Sequence, residues 1–126
     1  MAKRLLIVMD DETVTTQALA LDLTEAGYRV ETAVDGEEAE RKIGRVRFDL
    51  LIAPETSRGG STDVVEAFRR RRPTAKVVLM TTQGGRRKGV ERMDAGARVR
   101  KPFDLERFRS LVHELLEEEP TPRSAM

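Results

Sequence analysis

The 126 residues include no cysteine and no tryptophan. The missing cysteine excludes disulfides and thiolate metal sites and suits a reducing compartment. Aromatic residues make up only 4% of the chain, so aliphatic side chains have to fill its core. Long apolar runs are absent as well. The longest, Leu5-Leu6-Ile7-Val8-Met9, falls far short of the ~20 residues that a membrane span needs. Met1-Ala2-Lys3-Arg4 leads into no apolar stretch long enough for a secretory signal, and no small-residue cleavage site follows. The expectation is a soluble, cytoplasmic protein with no membrane contact. Net charge is nearly absent too, since 23 basic against 22 acidic side chains leave +1. With the total so balanced, distribution matters more than sum. Acids gather at Asp10-Asp11-Glu12, Glu37-Glu38 and Glu117-Glu118-Glu119, and bases at Arg69-Arg70-Arg71-Arg72 and Arg86-Arg87-Lys88.

Five short apolar runs alternate with five helical patterns. Leu5 to Met9, Leu50 to Ala53 and Val77 to Met80 are continuous apolar runs, as parallel strands covered on both faces require. Tyr28 to Ala33 and Ala97 to Arg100 are weaker candidates, the last with Val99 between two arginines. The first helix is predicted over Thr13–Ala26, with Val14, Ala18 and Leu21 as its apolar stripe and Gly27 as a left-handed stop. Ala39 and Ile43 mark a second helix, and Val64, Val65 and Phe68 a third that ends before Pro73. Val90 and Met93 suggest a short helix over Gly89–Ala95. Asp104 caps a last helix with the stripe Leu105, Phe108, Val112, Leu115 and Leu116. Residues 1–118 form one domain, and 119–126 read as a frayed tail. Strict alternation of strand and helix implies right-handed crossovers and a doubly wound, five-stranded parallel sheet with five helices. Ligands of such sheets sit beyond the carboxyl ends of the strands. That rule points to residues 9–12, 34–35, 54–58, 81–83 and 101–102.

Asp-Asp-Glu after the first strand, Thr-Thr after the fourth and Lys-Pro-Phe after the fifth fall at those ends. Together with Glu25-Ala26-Gly27-Tyr28, Asp35-Gly36-Glu37-Glu38-Ala39 and Asp94-Ala95-Gly96-Ala97, they closely resemble a bacterial response-regulator receiver domain over residues 3–118. The resemblance implies a flavodoxin-like sheet of order 2-1-3-4-5. It also implies an acidic pocket for Mg²⁺ at Asp10 and Asp11, a switch hydroxyl at Thr81, a phosphate-contacting Lys101, and a cis bond from Lys101 to Pro102. Carboxylates suit Mg²⁺, and a lysine offers a point charge to phosphate. Such domains take a phosphoryl group from a histidine kinase onto an aspartate at the end of the third strand.

Here that residue is Pro54, preceded by Ala53. Proline offers no nucleophile, no charge and no backbone N–H. Arg58 stands where the loop usually has proline, and Arg98 falls near the usual switch aromatic, in a fifth strand two residues short of the pattern. Met9 competes with Asp10 for the first place of the acidic pair.

Every site has a plainer reading. Asp10-Asp11-Glu12 suits a helix start, although its place after the first strand favours a relic pocket in which Lys101 neutralises the acids. Thr81 serves a loop backbone or a switch equally well. Glu55 lies one residue past the acceptor position and could swing toward Lys101, but strand alternation sends it to solvent instead. Arg69–Arg72 closes a helix, where cations complement the dipole. Arg86, Arg87 and Lys88 would open one, where the dipole gives no such reason, and they are the expected partner surface. His113 reads as a helix-surface residue. The function expected is a non-enzymatic, phosphorylation-independent interaction module in two-component signalling. Its expected partner is a signalling protein, with a homodimer as another candidate. No cofactor is expected, Mg²⁺ is disfavoured, and nucleic acid is discounted because neither basic run carries interleaved aromatics. The alternative is a phosphorylatable or anion-gated receiver using residues near Glu55.

Overall fold

The computed structural model describes residues 2–9, 13–55, 61–81, 90–93 and 96–117. Ten elements follow in order: β1 (Arg4–Val8), α1 (Thr13–Glu25), β2 (Arg29–Ala33), α2 (Gly36–Arg45), β3 (Leu50–Pro54), α3 (Ser61–Arg71), β4 (Lys76–Thr81), β5 (Val90–Met93), β6 (Gly96–Arg100) and α4 (Leu105–Glu117). One sheet runs β2-β1-β3-β4-β6-β5. All neighbours are parallel except β5 and β6, which are antiparallel. The five parallel strands therefore stand in the predicted 2-1-3-4-5 order.

Pleating divides each strand between two cores. Leu5, Ile7, Leu50, Ile52, Val78, Met80, Ala97 and Val99 pack under α1 and α4, against Leu19, Leu23, Phe108 and Val112. Leu6, Val8, Leu51, Ala53 and Val77 pack under α2 and α3, against Ala39, Ile43, Val64 and Phe68. Apolar side chains are thus buried on both faces of the central strands, as their unbroken apolar runs require.

Local chemistry sets the element ends. Asp35 caps α2 by accepting from the Glu38 N–H at 2.9 Å, and Glu38 reaches back to the Val34 N–H at 2.8 Å. Asp104 accepts from the Glu106 N–H at 2.9 Å to start α4. At the end of α1, Tyr28 N–H bonds Leu23 C=O and Gly27 N–H bonds Thr24 C=O. This is a paired helix stop that needs the positive φ of 105° at Gly27. Gly96 has a stricter requirement. Its φ is 145°, and a Cβ there would sit 1.7 Å from the Val77 carbonyl oxygen on β4. Only glycine lets β6 lie beside β4 at that register.

Two expectations fail. First, α1 buries Thr16, Leu19 and Leu23, not the predicted stripe. Val14 and Leu21 are 78% and 61% exposed, and Ala18 is exposed with them. The helix carries apolar residues on two faces, so periodicity alone cannot choose. Leu19 and Leu23 pack into the core with α4, and a 2.8 Å ion pair between Asp22 and Arg109 lies beside that face. Second, Val90–Met93 is strand β5, so the described residues hold four helices instead of five. A helix this short forms too few bonds to offset its nucleation cost. Antiparallel pairing of Val90 with Val99 and of Glu91 with Arg98 supplies ladder bonds directly.

Candidate functional site at the carboxyl edge of the sheet

β3 carries five buried residues and ends in Pro54, within a sheet whose central strands cannot normally accommodate proline. The ladder explains why this one is tolerated. Pairing of β1 with β3 stops at Ile7 and Ile52, whereas β3 and β4 stay in register through Pro54 and Met80. The next N–H, that of Glu55, bonds Met80 C=O at 2.7 Å. Successive N–H groups of a strand point to opposite neighbours, so the Pro54 nitrogen faces β1, past the end of their ladder. The β1–β3 ladder thus ends where proline has no N–H to give, while the β3–β4 ladder runs on past it.

Beside Pro54 lie the ends of β4 and β6. Thr81 pairs with Arg100, and the Lys101 N–H donates to Thr81 C=O at 2.8 Å. Both Thr81 and Lys101 are buried, at 7% and 9% exposure. The Lys101–Pro102 bond is cis, as the resemblance implies. Pro102 is exposed, while the Phe103 ring packs on Phe108 of α4 with centroids 4.8 Å apart, tying this turn to the helix. The fold therefore brings Pro54, Glu55, Thr81 and Lys101 to one edge. Asp10, Asp11, Arg86, Arg87 and Lys88 lie outside the described residues, as do Thr56 and Ser57.

Glu55 is exposed, as alternation implies, and it also pairs across the sheet edge. Its Oε1 and Oε2 accept from Arg98 Nε and a terminal nitrogen, each at 2.7 Å. This forked pair crosses over β4 and ties the end of β3 to β6, with each side chain about one-third exposed (35%). The physical signal was present. Ala53 and Glu55 share a face by alternation, and Arg98 stands opposite Leu79 on that face. What alternation alone could not give was the register that sets Arg98 within reach.

Residues 6–113 match the family described as response regulator receiver domain. The chain belongs to that family. Among curated relatives, the receiver is 29% identical over 121 residues to the transcriptional regulatory protein TcrA of Mycobacterium tuberculosis, covering 94% of this chain and 48% of TcrA. It spans about half the length of the curated relatives it matches. Among solved structures, it resembles a CheY-like receiver domain protein from Methanospirillum hungatei, with a TM-score of 0.77 and 24% identity over 93% of this chain and 95% of that one. It also resembles the structure of a histidine kinase, ThkA, with the response regulator TrrA of Thermotoga maritima, at a TM-score of 0.72 and 30% identity, covering 91% and 99%.

The divalent ion that such a fold implies is a poor match to the described part of this receiver. β3 ends in an apolar proline, and the next carboxylate has both oxygens on Arg98. Mg²⁺ prefers several hard oxygen ligands in near-octahedral array, and the side chain of Pro54 offers none. No described helix is long and apolar enough to cross a membrane.

Proposed function

We propose that this receiver is a phosphorylation-independent interaction module of two-component signalling, which docks a signalling protein without being switched by an aspartyl phosphate. The observation that carries the reading is Pro54. It occupies the buried strand end where chemical input would enter, and it has no atom that could take a phosphoryl group. The Glu55–Arg98 pair supports the same reading. A carboxylate already joins this strand end to β6, so the tie needs no transferred group.

Two surfaces suit such docking. Val14, Ala18 and Leu21 recur at i, i+4 and i+7 on α1 and are exposed, a spacing that reads helix-to-helix contacts. Arg86, Arg87 and Lys88 remain a proposed acidic-partner contact. They lie outside the described residues, and the helix expected after them is a strand at Val90–Met93. The relative TrrA, seen with a histidine kinase, makes a signalling protein the natural class of partner.

The alternative is an anion-gated or phosphorylatable receiver, favoured by buried Thr81 and Lys101 standing side by side at this edge. Intact-mass measurement after incubation with Mg²⁺ and a small-molecule phosphodonor separates the two. No adduct is the expected result. A phosphoryl adduct mapped to residues 53–57 would establish the alternative instead.

A further inference from the structure

At the other end of the sheet, the carboxyl ends of α2 and α3 enclose a cleft of about 510 Å³. Its lining comes from residues 43–45 of α2, Phe68 and Arg71 of α3, and the short connections that follow, 46–48 into β3 and 72–74 into β4. Arg45, Arg47, Arg71 and Arg72 all contribute, and no acidic side chain does. The ordinary explanation covers part of this cluster. Arg45 and Arg71 end their helices, where cations complement the dipole. Arg72 is held in place, donating to Phe48 C=O at 2.6 Å and lying 3.7 Å from Asp49.

That explanation does not reach Arg47, which lies beyond α2 and carries no dipole to offset. Nor does it explain why three guanidinium groups gather at one recess with no anion to separate them. Arg45, Arg47 and Arg71 are exposed, and none of them bonds to or pairs with another described residue. Asp49 pairs with Arg72, and Glu40 sits in an adjoining hollow that Arg70 and Arg71 also line. Like charges lining one recess repel.

We propose that this cleft binds a small, phosphate-bearing ligand of nucleotide size. The volume falls within the range of small-molecule sites. Guanidinium forks match phosphate oxygens two at a time and stay charged at any working pH. Three uncommitted positive charges call for a ligand with two or more negative ones, which points to a diphosphate or triphosphate. Val46 and Pro73 supply an apolar wall suited to a flat ring. A duplex would need its contacts spread along a convex stripe, whereas these converge on a recess. The site lies at the opposite end of the strands from Pro54, so it stands or falls apart from the function proposed above.

The test is calorimetric titration of the full chain with ATP, inorganic triphosphate and adenosine, beside an Arg45→Gln/Arg71→Gln variant. Binding of ATP and triphosphate without adenosine is expected, with affinity falling about tenfold or more in the variant. The melting temperature of the unliganded variant should match the parent, which separates lost binding from lost folding. Absence of binding to the parent, or equal binding by the variant, would overturn the proposal. Preference for a short DNA duplex over ATP, strengthening with duplex length and weakening steeply with salt, would also overturn it in favour of a nucleic-acid surface.

Discussion

At Gly96 a single hydrogen atom decides whether β6 can lie against β4. A side chain there meets both a positive φ of 145° and the Val77 carbonyl oxygen at 1.7 Å, and that obstacle is backbone, which cannot rotate away. Gly96→Ala should therefore destabilise the domain by roughly 3 kcal/mol or more, combining strained dihedrals with overpacking. Denaturant unfolding measures this, and a loss under ~1 kcal/mol would mean that β6 can shift register. The Glu55–Arg98 pair calls for a more modest forecast. It is forked and short, but each side chain is about one-third exposed (35%), so solvent screens it. A double-mutant cycle with Glu55→Gln and Arg98→Gln should give a coupling of about 0.5–1 kcal/mol that shrinks with added salt. Coupling indistinguishable from zero would remove the tie from the account of how this strand end is held.

Helix α1 separates what periodicity can decide from what it cannot. Its length and its stop at Gly27 were legible in the sequence, because a glycine at a helix end has a local, conformational reason to be there. Its buried face was not. Val14–Ala18–Leu21 and Leu19–Leu23 are both apolar stripes at helical spacing, and the choice depends on packing with α4, where Asp22 meets Arg109, 87 positions along the chain. Segment 90–93 fails for the same kind of reason, since Val90 and Met93 suit a helical turn until β6 presents an edge to pair with. By contrast, β1, β3 and β4 needed no distant partner to be recognised, because runs buried on both faces are apolar throughout. The exposed stripe on α1 yields a prediction that belongs to the helix as a unit. Val14→Gln with Leu21→Gln keeps good helix formers on a face that touches nothing in the described fold. Stability should change by no more than about 0.5 kcal/mol, while binding of the cognate signalling protein should weaken severalfold. Unaltered binding by the folded variant would move the docking surface off α1.

For the molecule as a whole, the question is whether a receiver fold with proline at the end of β3 still holds the rest of a switch. Much of the edge was readable from the sequence. Thr81 and Lys101 come together there, Lys101–Pro102 is cis as the resemblance implied, and Pro54 ends β3 beside them. The tie from Glu55 to Arg98 was hidden, because it depends on the register of three strands at once. These features set the expected response to restoring one residue. In the natural chain the end of β3 gives Mg²⁺ no free carboxylate, so millimolar Mg²⁺ should leave the melting curve unmoved. Pro54→Asp adds a hard oxygen ligand beside the expected acidic pair, and native-state binding then raises stability by mass action. A rise of several degrees with Mg²⁺ in the variant alone is the expected result, since ~1 kcal/mol shifts a domain of this size by roughly 3–6 °C. Restored binding should not restore switching. Arg98 still holds Glu55, so a phosphodonor should alter the variant's partner affinity by less than about tenfold, or 1.4 kcal/mol. A larger change would show that Thr81 and Lys101 can drive a switch once an aspartate stands at position 54, whatever Arg98 holds.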